Sequence, residues 1–62
     1  MAYLAVNKDG YEMMFKNKPY FDDRYGEWRD GKTNQHGIVL PKCSIIAMTG
    51  QKITFEDEPI KI

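Results

Sequence analysis

Only one cysteine, Cys43, and one histidine, His36, occur in this chain of 62 residues. A lone thiol cannot close an intrachain disulfide. One Cys with one His also falls short of the four protein ligands, or three plus water, that zinc requires. Cys43 reads as an incidental thiol rather than a nucleophile, because only Lys42 beside it supplies positive charge. Net charge is missing too: nine Lys and Arg offset nine Asp and Glu. The long-range field that gathers nucleic acid or anionic lipid is correspondingly weak. No apolar run approaches the roughly 20 residues of a membrane span. The opening MAYLAVNKDG lacks the basic start and long apolar core of a signal peptide. These absences predict a cytoplasmic protein with no membrane partner. The five glycines are scattered, so there is no phosphate-cradling loop, and no nucleophile elbow or paired ligand histidines follow. Neither a cofactor nor an enzymatic activity is expected. His36 reads as a surface histidine. The acidic pairs and triplets at 22–23 and 56–58 lack the spacing of a calcium loop and read as solvated turns.

What is present is enough for one small domain over residues 1–62. The hydrophobic fraction is 42%, and a chain this short buries only about 60% of the surface its unfolded form exposes. AYLAV and YEMMF alternate apolar and polar positions, the period of a half-buried strand. Asp9-Gly10 between them is a hairpin turn signal. Residues 2–7 and 11–16 are therefore predicted to form a β-hairpin, with a β-branched residue at Gly10 costing more stability than one at Gly31. Pro19 then stops the ladder. From there to Gly37 the chain reads as a long loop that holds a strand around Glu27–Arg29, or binds something, or moves. GIVL reads as a strand and residues 42–49 as a short helix, with Pro41 at its first position, Ser44 as a cap and Gly50 just past its end. KITF and IKI are predicted strands. The predicted fold class is α+β and β-rich: a small curved sheet or partly open barrel of about five short strands with one helix.

The long loop contains the sequence's most unusual stretch, KNKPYFDDRYGEWRDGK at 16–32. It holds four of the eight aromatic rings and nine of the eighteen charged side chains. Tyr20, Arg24, Tyr25, Trp28 and Arg29 have the composition of a binding hot spot, where stiff, amphipathic side chains give large contact area at low entropic cost. Two uses of the segment are open. It is a partner-binding surface, or it is a lid whose rings fold back over the core. A division in which Phe21 and Trp28 face inward and the tyrosines and arginines face outward satisfies both. That division predicts Tyr25 and Arg24 exposed and Trp28 at least half covered. The same rings could stack bases, but five cations against four anions in the segment is a small imbalance for a phosphate groove.

The run MAYLAVNKDG, a tryptophan in a polar loop, then LPKCSI and TFEDEP resemble a group of short uncharacterised proteins of bacteriophages and prophages, many from gut bacteria. Cys43 stands where those proteins carry glycine, and Phe55 where they carry tryptophan. The resemblance implies a phage accessory protein at work in the bacterial cytoplasm, without assigning any residue a role. The expected function is a small non-enzymatic binding protein acting on a host or phage protein, in host takeover or against host defence. The alternatives are a small barrel that binds single-stranded nucleic acid, and a homo-oligomer with the aromatic segment as its interface.

Overall fold

The computed structural model describes all residues, Met1–Ile62. Alternation in the first third of the chain does produce a hairpin: β1 (Tyr3–Val6) pairs antiparallel with β2 (Glu12–Phe15), Tyr3 opposite Phe15 and Val6 opposite Glu12. The connecting turn closes through the Asn7 N–H donating to the Tyr11 carbonyl and the Gly10 N–H donating to the Asn7 carbonyl, both at 2.9 Å. Residues 16–37 are not a structureless loop. They contain a second hairpin, β3 (Pro19–Asp22) paired with β4 (Glu27–Asp30). Next come β5 (Ile38–Leu40), the helix α1 (Ser44–Thr49) and β6 (Ile60–Lys61). The strands form a four-stranded sheet in the order β5-β2-β1-β6 and the separate β3-β4 ribbon. The β-rich α+β class is as predicted, with six strands in two sheets that do not close into a barrel.

Period-two alternation gives the four-stranded sheet two apolar faces, and each is covered. Leu4 and Val6 point to one side, where Ile45 of α1 joins them, with Met14, Leu40, Ile53 and Ile60 packed around. Ala5, Met13 and Phe15 point to the other side, under Tyr3 and Trp28. The β3-β4 ribbon is thus a lid over one face, and α1 with the 51–55 segment covers the opposite face.

Several predicted details fall differently. Pro19 does not end pairing; it opens β3, where a missing N–H is tolerated at the first residue of a strand. KITF forms no strand. Ile53 and Phe55 do turn inward, but the end of β1 beside them is already engaged. The Val6 carbonyl accepts the Trp28 indole N–H at 2.9 Å, and the Lys8 N–H donates to the Gly26 carbonyl at 2.8 Å. The helix begins at Ser44, after a turn at 42–43. Ser44 does not cap it; its hydroxyl donates to the Pro41 carbonyl at 2.6 Å. The cap comes from the sheet that the helix covers. Glu12 accepts the Cys43 N–H at 2.6 Å and the Ile45 N–H at 2.7 Å, so a strand carboxylate satisfies the donors that a helix start leaves open. Gly50 ends the helix in the left-handed region, as its position predicts.

Gly10 lies at positive φ in the hairpin turn, as predicted, but the space around the two glycines leads us to expect the opposite stability ranking. Gly10 has φ of 94° and open space for at least 4 Å around the point where a Cβ would stand, whereas a Cβ on Gly31 would lie 2.3 Å from the Lys18 carbonyl oxygen. Strain at Gly10 is local, while at Gly31 a side chain collides with backbone.

Cys43 itself is held at φ 68° and ψ 13°, a left-handed conformation. For a residue with a Cβ this costs about 1–2 kcal/mol, partly offset in a glycine replacement by the larger entropy glycine loses on folding. The Cys43→Gly variant is expected to be about 0.5–1 kcal/mol more stable, read as a raised urea midpoint at unchanged m-value. An unchanged or lowered midpoint would show that the left-handed turn at 43 carries no strain.

Candidate protein-binding face

The β3-β4 register sorts the aromatic segment. Cross-strand partners share a face of a ribbon: Phe21 is opposite Trp28, and Pro19 opposite Asp30, on the side turned to the sheet, while Tyr20 is opposite Arg29, and Asp22 opposite Glu27, on the other. The inner side is anchored. Beyond its indole bond to Val6, Trp28 donates its backbone N–H to Asn7 Oδ1 at 2.8 Å. Its ring meets Phe21 edge-on at 5.3 Å, and Phe21 in turn lies 5.9 Å from Phe55.

The base of the ribbon is closed by Asp30, which is only 6% exposed. Its carboxylate accepts the backbone N–H groups of Lys32 at 2.8 Å, Thr33 at 3.0 Å and Asn17 at 3.2 Å, together with the Asn17 side-chain amide. The Thr33 N–H, with those of Lys32 and Asn17, outweighs burial and lowers the Asp30 pKa from 3.8 to about 2. A carboxyl depressed in the folded state stabilises the fold fully above its unfolded pKa, and the contribution fades as pH falls through the folded value. The urea midpoint of the wild type is therefore expected to drop between about pH 5 and pH 2. In Asp30→Asn it should start lower at pH 7 and fall less across that window. Parallel curves for the two proteins would remove Asp30 from the account.

Outward, the ribbon carries a connected charge network. Arg29 contacts Asp22 at 3.3 Å and Glu27 at 3.3 Å, and Glu27 meets His36 Nδ1 at 2.6 Å. Arg24 reaches Asp22 at 3.2 Å. The Arg24 side chain, followed by Arg29, holds the Asp22 carboxyl below the usual aspartate range against the opposing effect of burial. Asn34 ties the next segment to the same surface: its side-chain oxygen accepts the Tyr20 hydroxyl, and its carbonyl accepts an Arg29 N–H at 3.4 Å. Above this network stands Tyr25, with the Arg24 and Arg29 guanidiniums 5.5 and 5.3 Å from its ring centre.

Of the five residues that the sequence singles out, four are therefore gathered on the outer side and one is not. Tyr25 is 65% exposed and Tyr20 43%; the Arg24 side chain is 79% exposed and that of Arg29 only 18%. Arg29 serves as the support on which Tyr25 rests. Trp28 points away from this face, more than half covered, as the inward-outward division predicts. Sequence reasoning missed Asn34 and His36. They join the face only because the 34–36 run lies beside β4, bridged at Arg29–His36. It also missed a groove of about 540 Å³ at the tip of the first hairpin, floored by Val6, Ile45, Ile53 and Phe55 and edged by Lys8 and Lys52. No three His, Cys, Asp or Glu side chains come together as a metal site, and no helix is long and apolar enough to cross a membrane. Comparison with protein-family models, with curated proteins and with solved structures finds no match to this chain.

Proposed function

We propose that the chain is a small binding protein that recognises a protein partner through the outer face of the β3-β4 ribbon and works by binding rather than catalysis. The observation that carries this reading is Tyr25: a ring 65% exposed, flanked by two arginines, on a ribbon whose other side is fixed to the core. A side chain left in water but restrained in direction loses little entropy when a partner covers it, the property that makes Tyr and Arg common in hot spots. Nucleic acid is the weaker alternative, because both arginines of the face are already neutralised by Asp22 and Glu27, leaving little charge to displace phosphate counterions. In keeping with the resemblance drawn from the sequence, the proposed setting is the bacterial cytoplasm, with the protein encoded by a phage or prophage and directed at a host or phage protein.

The Tyr25→Ala variant tests this. Its stability should stay within about 0.5 kcal/mol of wild type, as for most surface changes. Capture of a discrete protein from bacterial lysate, run with and without nuclease, should fall at least about tenfold, the loss of a 1.4 kcal/mol contact. Recovery of nucleic acid, with binding that weakens steeply in salt, would transfer the function to the alternative. Equal capture by the variant would end the proposal for this face.

A further inference from the structure

Next to the ribbon's inner side, Phe21, Trp28 and Phe55 wall a cleft of about 310 Å³ whose other lining residues are Glu56, Asp57 and Glu58. All three rings are partly exposed. An aromatic face attracts a cation through its quadrupole, tryptophan most strongly, and the attraction grows as water is excluded. No cation of this chain meets that demand: the two guanidiniums that lie over a ring, those of Arg24 and Arg29, both lie over Tyr25. The rim is not neutralised either. None of the chain's ion pairs involves Glu56, Asp57 or Glu58, although Asp57 accepts the Thr54 N–H at 2.7 Å through one oxygen. Three carboxylates without counterions thus border three rings without a cation. Those carboxylates do not converge as metal ligands, so the site suits an organic cation spread across the rings rather than a point-like ion. By contrast the larger groove carries Lys8 and Lys52 together with Glu12 and Glu56, and its mixed charge selects no occupant.

We propose that this cleft receives an arginine side chain from the partner, its guanidinium against the rings and paired with the 56–58 carboxylates. The inference rests on the reading of the chain as a protein-binding domain and adds that the bound segment is basic. A planar guanidinium both stacks on an aromatic face and pairs with carboxylates, which fits a wall of rings beside a rim of acids.

Trp28 is the only tryptophan, so its single indole N–H resonance is unambiguous, and shifts shared with Phe21, Phe55 and residues 56–58 locate binding to the cleft. The test is a titration of the purified protein with the amidated peptide Gly-Arg-Arg-Gly, and with the same peptide carrying citrulline, a neutral near-isostere of arginine, in place of both arginines. Saturable shifts are expected at Trp28, Phe21, Phe55 and residues 56–58, with the citrulline peptide at least about tenfold weaker. Combining Glu56→Gln with Glu58→Gln, both exposed positions, should weaken the arginine peptide severalfold at an unchanged melting temperature. An equal response to citrulline, shifts that map elsewhere, or no saturation would overturn the proposal. The titration uses no partner, so its failure removes the cleft while leaving the outer face untouched. Undiminished partner capture by Tyr25→Ala does the reverse.

Discussion

Truncating Trp28 to alanine is expected to lower the unfolding free energy by about 3 kcal/mol and the melting temperature by about 15 °C. The indole covers the Ala5, Met13 and Phe15 layer of the sheet, stacks edge-on with Phe21 and donates to the Val6 carbonyl. Truncation removes the apolar contact, opens a cavity and strips that carbonyl of its partner at once. For a chain of this size the whole stability is about 3–9 kcal/mol, so the variant should sit close to unfolding at ambient temperature. Trp28→Phe separates the contributions: it keeps a ring and loses the hydrogen bond, at a cost of about 1 kcal/mol. Urea unfolding followed by far-UV circular dichroism measures both, since the variants have no tryptophan fluorescence. A loss under about 1 kcal/mol for Trp28→Ala would show that the ribbon is not pinned through this residue.

The second large effect is expected at Gly31. Valine there should cost about 3 kcal/mol, the upper part of the range for overpacked sites. The first atom added meets the Lys18 carbonyl at 2.3 Å, and this is the same carbonyl that accepts the Gly31 N–H at 3.1 Å. Relief requires the two ends of the ribbon to part, which also strains the neighbouring Asp30 bonds to Lys32 and Thr33. A Cβ at Gly10 meets no atom within 4 Å, so valine there is expected to cost mainly the left-handed strain, about 1–2 kcal/mol. Paired denaturation curves decide the order. A Gly10 variant as damaged as the Gly31 variant would contradict the close approach at the base of the ribbon.

Those two positions also mark where the sequence is legible. The first hairpin can be read because Leu4 and Val6 alternate with Tyr3 and Ala5, and Met13 and Phe15 with Glu12 and Met14, around an Asp-Gly turn. The second hairpin has the same period, but its outward positions are Tyr20, Asp22, Glu27 and Arg29, and its inward ones include Pro19 and Asp30. Charged residues on one face and a proline and an aspartate on the other hide the alternation. The usable signal is Gly26, at φ 65°, closing a turn between PYFD and EWRD. The predicted strand at KITF fails for a tertiary reason: Ile53 and Phe55 have the right spacing, but the ladder positions beside them are occupied by Trp28 and Gly26. Long-range capping is equally invisible in sequence, since Glu12 lies far along the chain from the helix it caps. For the candidate site, composition identifies Tyr20, Arg24, Tyr25, Trp28 and Arg29 and suggests an inward Trp28, and the register places Trp28 on the opposite face from the other four. The acidic run 56–58 is plain in the sequence, yet nothing there places it beside Phe21 and Trp28.

Photo-crosslinking tests most directly whether the outer face of the ribbon meets a partner. Benzoylphenylalanine at position 25 is compared with the same group at Tyr11, a tyrosine 58% exposed beside the turn of the other hairpin. A discrete adduct with another protein is expected from position 25 and none from position 11. Equal labelling from both positions, or adducts from position 25 that contain only a second copy of this chain or nucleic acid, would contradict it.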